Sequence, residues 1–293
     1  MKKITLVLML AVTAVMQCNA QLLWKVSGNG LSKPSYLFGT FHVAPVSLAD
    51  SIAGLDEAIK SVDAVYGELS LDDINAAKEQ IAPLLMAPAD STLNRLFTPA
   101  QLAEIDSAFS AIAGQPLSVT SMMNGYKPTM VSTVMLTMLA QKNIVGYVPG
   151  ATLDAYVLGK GAAASKPVGG LEPLQKQIDL LYCMPIAEQA SDLLDMIRVP
   201  GGAEKLLLKM TDVYKAGDLD ALYDIINDPD AGGLSDSRQG SLLNQRNEAW
   251  VEFLLGFIPT TSVLVVCGAG HLPGANGLIS RLRGAGYSVE PVN

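Results

Sequence analysis

The sequence lacks the short motifs that identify several common enzyme classes. It has no Gly-x-Ser-x-Gly elbow, phosphate-binding loop, Gly-rich dinucleotide turn or His-Glu-x-x-His helix, so nothing in it indicates nucleotide binding or the catalytic classes that use these motifs. It also lacks a Cys-x-x-Cys pair, and therefore gives no sign of a structural zinc site.

Positive charge and long apolar runs are scarce as well. The chain has 20 Lys and Arg against 28 Asp and Glu, a net charge of −8. This acidic balance argues against nucleic acid or an anionic membrane as a partner. Beyond the N-terminus, the longest apolar run is 130–140, whose length and hydroxyl residues predict a buried core helix and no transmembrane segment.

Residues 1–20 predict a secretory signal peptide, because Lys2 and Lys3 precede an apolar stretch and small residues end the segment. We therefore expect a periplasmic or extracellular protein, with residues 21–293 forming a single domain. Cys18 raises the alternative of a lipoprotein. The bulky Gln17 argues against it, since lipid-attachment signals have a small residue there.

The mature chain retains two cysteines, Cys183 and Cys267. In an oxidising compartment they could form one disulfide. Two buried free thiols are the alternative, and the spacing of the cysteines does not decide between them.

Only two histidines occur, and both close the same phrase: Gly39-Thr40-Phe41-His42 and Gly268-Ala269-Gly270-His271. Each phrase follows an apolar run that predicts a strand. Glycines such as Gly39, Gly268 and Gly270 let a backbone turn sharply or approach another group closely. If the strands are parallel neighbours, both rings lie at the carboxyl edge of one sheet, where they could hold a divalent metal or share acid and base roles. Two unrelated loop histidines are the alternative.

The remaining pattern predicts an α+β protein with a central mixed sheet. Residues 22–26 and 35–41 predict a hairpin, 62–69 a further strand, and 262–267 and 287–292 the last two strands. A helix start is predicted at 47–50, with Leu55, Ala58 and Ile59 facing inward. Two strand, Gly-x-x-His, helix, strand units thus flank a mostly helical insertion at 71–247, which contains one short strand at 167–172.

Three further residues are candidates for the site. Glu68 and Glu172 each stand at the exit of a predicted strand, where exposed carboxylates are also common; a buried one would need a partner. Arg246 lies in the helix before the last Gly-x-x-His phrase. It is either a surface arginine whose stem covers apolar residues or a clamp for a substrate carboxylate or a developing oxyanion.

A set of phrases, in this order along the mature chain, resembles the TraB/GumN family, which is related to the Tiki metalloproteases. They are Phe38-Gly39-Thr40-Phe41-His42, Gly67-Glu68-Leu69, Lys127-Pro128, Leu153-Asp154 before Tyr156, Gly170-Leu171-Glu172 with Gln177, Arg246-Asn247 with Trp250, and Gly268-Ala269-Gly270-His271-Leu272-Pro273-Gly274 with Gly277-Leu278. The resemblance implies a fold of the erythromycin esterase and ChaN-like class, with both Gly-x-x-His loops meeting over the sheet.

The same resemblance implies a metal-dependent hydrolase. His42, His271 and Glu68 would be metal ligands or catalytic bases, Glu172 a supporting or ligand carboxylate, and Arg246 an oxyanion or substrate clamp. We expect an exported peptidase that uses a divalent ion such as Mn²⁺, Co²⁺ or Zn²⁺ on a peptide or small-molecule substrate. The alternatives are a metal-free esterase or amidase with a histidine base, and a non-enzymatic peptide- or haem-binding protein.

Overall fold

A computed structural model of the chain describes residues 21–199 and 202–292. The predicted signal peptide, residues 1–20, lies outside the described residues. Six strands form one sheet in the described chain: β1 (Leu23–Ser27), β2 (Ser35–Thr40), β3 (Ala64–Gly67), β4 (Val168–Gly170), β5 (Val263–Gly268) and β6 (Ser288–Pro291).

The sheet is mixed, and its strand order is β4-β3-β5-β2-β1-β6. Strands β4, β3, β5 and β2 run parallel to one another, whereas β1 is antiparallel to both β2 and β6. The predicted α+β class and the predicted assembly of the sheet from both ends of the chain are confirmed. The two strands that precede the Gly-x-x-His phrases, β2 and β5, are direct neighbours, with Thr40 opposite Gly268.

Helices surround the sheet and fill most of the segment between β3 and β5, as predicted. They are α1 (Leu55–Ser61), α2 (Leu71–Ile81), α3 (Leu93–Leu96), α4 (Pro99–Ala113), α5 (Val119–Met123), α6 (Pro128–Asn143), α7 (Leu153–Ala163), α8 (Leu174–Tyr182), α9 (Ile186–Arg198), α10 (Gly202–Ala216), α11 (Leu219–Ile226), α12 (Asp236–Gln239), α13 (Gln245–Phe257) and α14 (Leu278–Gly284).

Two details of the helices differ from the sequence prediction. Residues 47–50 belong to a separate 3-10 helix, Val46–Ser51, and α1 begins only after Gly54, whose φ of 75° interrupts the helical path. The face that α1 buries is nevertheless the predicted one. The helix predicted to contain Arg246 starts as a π-helical turn, Gly240–Asn244, and continues as α13.

The apolar interior has two main parts. One surrounds the sheet and includes Phe38, Val265 and Trp250, and the other lies among α4, α6 and α9 around Phe109 and Met135. Helix α6 buries Val131, Met135 and Leu139, so the predicted core helix is confirmed. Within residues 21–199 and 202–292, no helix combines the length and apolar character needed to cross a membrane.

Cys183 and Cys267 are both free thiols, so no disulfide joins them. Cys267 is buried in β5, as its apolar strand predicts. Cys183 is exposed, and the alternative of two buried thiols is therefore wrong for this residue. The reason is its position directly after the last residue of α8, where the chain reaches the surface.

The glycines of the Gly-x-x-His phrases allow close packing, and none of them has a positive φ. A Cβ on Gly39 would lie 2.9 Å from Leu272 Cδ1 and 3.1 Å from the backbone of Ala269. At Gly268 the nearest atom, Glu68 Oε1, would be 3.4 Å away, an ordinary contact. Gly39 therefore lets the two histidine loops lie against each other.

We predict that Gly39→Ala lowers the free energy of unfolding by about 1–3 kcal/mol, because the added methyl group has no room. Gly268→Ala is the matched control and should change it by much less. Urea unfolding of both variants provides the measurement, and equal losses would show that loop packing does not depend on the absence of a side chain at Gly39.

Candidate active site

The carboxyl ends of four parallel strands bring the predicted site residues to one edge of the sheet. Glu68 follows β3 directly, Glu172 follows β4, His42 follows β2 and His271 follows β5. Because β4, β3, β5 and β2 are consecutive in the sheet, their exits stand side by side. This edge is where ligands bind in open α/β sheets.

Arg246 lies at the centre of a buried ion cluster. Its Nε and Nη2 donate to Glu172 Oε1 at 2.9 and 2.6 Å, and Nη2 also donates to Glu68 Oε2. Its Nη1 donates to the carbonyl of Leu242, in the π-helical turn, and to His271 Nε2, at 3.1 and 3.0 Å. The side chain of Arg246 is 9% exposed, so it is not a surface arginine. All five of its N–H donors are used within the protein.

The oxygens of both carboxylates also have protein partners. Glu68 Oε1 accepts the Gly268 N–H at 2.8 Å. Gln177 Nε2 donates to Glu68 and to Glu172, at 3.1 Å in each case. Glu172 Oε2 accepts from the Trp250 indole at 3.3 Å. A buried charge of this kind requires such a complete set of partners.

Asn247 fixes the tautomer of His271. The Asn247 side chain donates through Nδ2 to the carbonyls of His271 and Asn276, at 3.2 and 2.9 Å. Its Oδ1 therefore faces His271 Nδ1, 2.6 Å away, and Nδ1 must carry the proton. Nε2 is left as an acceptor, which Arg246 occupies. The Trp250 ring packs against the imidazole, with centroids 4.4 Å apart.

The charge states follow from burial and from Arg246. Burial tends to raise the pKa of Glu68, but His271, Arg246, His42 and the Gly268 N–H outweigh it and lower the pKa to about 2. For His271, burial is the largest cause of a pKa lowered to about 3. At neutral pH the ring is therefore uncharged, and Arg246 is the fixed cation that keeps Glu68 ionised.

His42 differs from His271 in its exposure and in its hydrogen bonding. It is exposed at the surface, and among the described residues no hydrogen-bond partner fixes its ring. It lines the same cleft as Glu68, Arg246 and His271. The two Gly-x-x-His phrases thus place one free imidazole and one fully bonded imidazole at the same edge of the sheet.

The cleft beside these residues has a volume of about 440 Å³. Apart from the site residues, its walls are mainly aliphatic, and include Leu180, Leu206, Met210, Leu222, Ile225, Ile226, Leu234, Leu242 and Leu243. Such a wall is suited to an apolar group, and the polar residues of the same cleft could orient a ligand.

The three expected metal ligands, His42, His271 and Glu68, are not arranged to hold a divalent ion together. Within the described residues, no three His, Cys, Asp or Glu side chains are grouped so that they could hold a metal ion. Arg246 already provides the positive charge between Glu68 and Glu172, and it occupies the lone pair of His271 Nε2. Of the three expected ligands, only His42 has ring nitrogens without a partner in the described chain.

The sequence alone indicates no role for Asn247, Trp250 or Gln177, although all three belong to the phrases of the family resemblance. Asn247 and Trp250 share the inward side of α13 with Arg246. The position of Asn247 beside the apolar face of this helix is the one sequence feature that could have indicated its role. Gln177 lies on α8, one helical turn and a loop beyond Glu172, and its bridge between two glutamates depends on tertiary structure.

We predict that Arg246→Met destabilises the chain by about 3–5 kcal/mol, because it leaves two buried carboxylates without their cation. Arg198→Met is the matched control, since Arg198 forms an exposed pair with Glu104 and its loss should have little effect. Chemical unfolding measures both. Similar losses in the two variants would contradict a central role for Arg246.

We also predict a loss of stability on acidification that has two phases. Both folded pKa values lie below the ordinary values of 6.5 for His271 and 4.5 for Glu68, so the unfolded chain binds these protons first. The first loss of stability, due to His271, should begin below pH 6.5 and continue to its folded pKa near 3. The second, due to Glu68, should run from pH 4.5 towards pH 2. Each phase should lower the free energy of unfolding by on the order of 3 kcal/mol.

The unfolding free energy of the wild type, His271→Gln and Glu68→Gln, measured between pH 7 and pH 2, separates the two phases. Each variant should lose the phase that belongs to its residue. If all three proteins show the same pH dependence, these two groups do not carry it.

One family model matches almost the whole of this chain. Residues 22–291 match the TraB/PrgY/gumN family. The matched segment includes both Gly-x-x-His loops, both glutamates and Arg246. No curated protein and no solved structure matches the chain. From its first strand to its last, the chain therefore belongs to the TraB/PrgY/gumN family.

Proposed function

We propose that this protein is an exported hydrolase, of the peptidase type, that cleaves an amide or ester bond with His42 as the general base. One observation carries the proposal: an exposed imidazole without a fixed partner lines an apolar cleft together with an ionised, immobilised carboxylate, Glu68. Imidazole is the side chain best suited to exchange protons near neutral pH.

The proposed reaction has two proton transfers. An apolar part of the substrate occupies the aliphatic wall of the cleft, and the scissile carbonyl lies near His42. His42 takes a proton from a water molecule while the water oxygen attacks the carbonyl carbon. The ring then gives that proton to the leaving nitrogen or oxygen as the bond breaks, and the products are a carboxylic acid and an amine or alcohol.

Glu68 and Arg246 act electrostatically in this scheme. The negative charge of Glu68 stabilises the imidazolium that forms on His42, since both groups line the same cleft and their opposite charges attract. Arg246 holds Glu68 in place and ionised. A clamp on a substrate carboxylate would require Arg246 to give up one of its present bonds, and the proposal therefore assigns it a positioning role.

Metal-dependent hydrolysis, which the resemblance to Tiki proteins implies, is the second candidate. His42 and Glu68 would be its first ligands, and a divalent ion bound there would lower the pKa of a coordinated water. His271 could join them only after Arg246 had left its Nε2 atom. The single feature in favour of this candidate is the unpartnered ring of His42.

We predict that the mature chain hydrolyses peptides or esters that carry a bulky apolar group, and that His42→Ala lowers kcat/KM by at least about 100-fold. The assay uses fluorogenic substrates, with Arg198→Met as a control because its exposed ion pair lies outside the cleft. Equal rates for wild type and His42→Ala would refute the role of His42.

Dialysis against a chelator then separates the two candidates. Activity that survives chelation supports the base mechanism. Activity that is lost and then restored by Mn²⁺, Co²⁺ or Zn²⁺ would establish the metal mechanism instead. Tight peptide binding without turnover, or a visible absorption band on haem titration, would overturn both in favour of a binding protein.

A further inference from the structure

A carboxylate that the proposed reaction does not use lies close to His42. Asp154 stands in the first turn of α7 and is partly buried, with its Oδ2 atom shielded from solvent. The hydroxyl of Thr40, two residues before His42, donates to Asp154 Oδ1 at 2.8 Å. The other oxygen, Oδ2, is buried without any hydrogen-bond partner.

An unpaired carboxylate oxygen in the interior is costly, and native chains rarely keep one without a reason. Burial raises the pKa of Asp154 above its ordinary value, and His42 opposes this. A purely structural role, in which Asp154 ties α7 to the end of β2 through Thr40, needs only Oδ1. An asparagine would serve that role equally well, so the free oxygen calls for a second partner.

Asp154 and His42 line a second cavity together. It has a volume of about 210 Å³, and its polar lining includes His42, Glu68 and Asp154. The titratable groups that interact with Asp154 are His42, Glu68, Tyr214 and Cys267. Tyr214 donates its hydroxyl to the Gly39 carbonyl, Glu68 has a full set of partners, and Cys267 lies within β5. Among these four groups, the ring of His42 is the one with donor capacity to spare.

We propose that Asp154 is a positioning residue for His42: Asp154 Oδ2 accepts the N–H of one His42 ring nitrogen, directly or through one ordered water. This bond leaves the lone pair of the other nitrogen directed at the cleft. The proposed pairing of Asp154 with His42 concerns the protein without substrate, and only its effect on catalysis rests on the proposed function. The same orientation would also suit a metal-binding His42.

The chain offers a direct spectroscopic test, because it contains only two histidines. Proton–nitrogen NMR correlation of the imidazole rings identifies the tautomer of each, and His42→Ala assigns the signals. In the wild type, the His42 ring should be a single tautomer with a slowly exchanging N–H. Rapid exchange between two tautomers in the wild type would overturn the pairing without any variant.

Asp154→Asn sharpens this test. Thr40 should hold the amide oxygen at the place of Oδ1, so a donor replaces the acceptor at the place of Oδ2. The His42 nitrogen facing residue 154 would then have to accept, and its proton should move to the other nitrogen. An unchanged tautomer in Asp154→Asn overturns the proposal.

If the protein is the proposed hydrolase, Asp154→Asn should lower kcat about 100-fold and change KM little, because the base is presented in the wrong tautomer. The control is Asp50→Asn, which removes an exposed carboxylate that bonds to the same helix through Lys160 and should leave kcat unchanged. A protein without hydrolytic activity would refute the proposed function, while the NMR result would still decide the pairing.

Discussion

The candidate site depends on one buried cation. Glu68 and Glu172 follow adjacent parallel strands, so the sheet forces two carboxylates towards the same place, where their charges would repel each other in the interior. Arg246 donates to both of them and to His271, and Gln177 bridges the same two carboxylates. The ionised state of Glu68, the neutral state of His271 and the packing of Trp250 all follow from this arrangement.

The same constraint gives the two Gly-x-x-His phrases unequal roles. His271 is held by Asn247, Trp250 and Arg246 and has no free nitrogen, whereas His42 stands exposed at the cleft. In the proposed reaction, the bonded histidine belongs to the scaffold and the free histidine moves protons. Asp154 bonds to Thr40, at the end of the strand before His42. In the proposed pairing, Asp154 would orient the His42 ring.

Much of this could be predicted from the sequence because it depends on local patterns. Alternating and continuous apolar runs predicted β2 and β5, and the repeated Gly-x-x-His phrase placed both histidines at strand exits. Patterns did not predict the bonds that cross from α13 and α8 to the sheet. The burial of Arg246 depends on two glutamates 74 and 178 residues away in the chain, and no local signal separates it from a surface arginine. The 3-10 helix at Val46–Ser51 and the exposure of Cys183 are likewise set by the neighbouring backbone.

The central claim is that Arg246 is the cation shared by Glu68 and Glu172, in the place where a metal-dependent enzyme would hold its ion. The most direct measurement is a crystal structure of residues 21–293 grown with excess Mn²⁺, with anomalous scattering data collected at the manganese absorption edge. We predict that Arg246 bonds to both glutamates and to His271 Nε2, and that no anomalous peak lies among them. A manganese ion bound by His42, Glu68 and His271, with Arg246 displaced, would contradict this account.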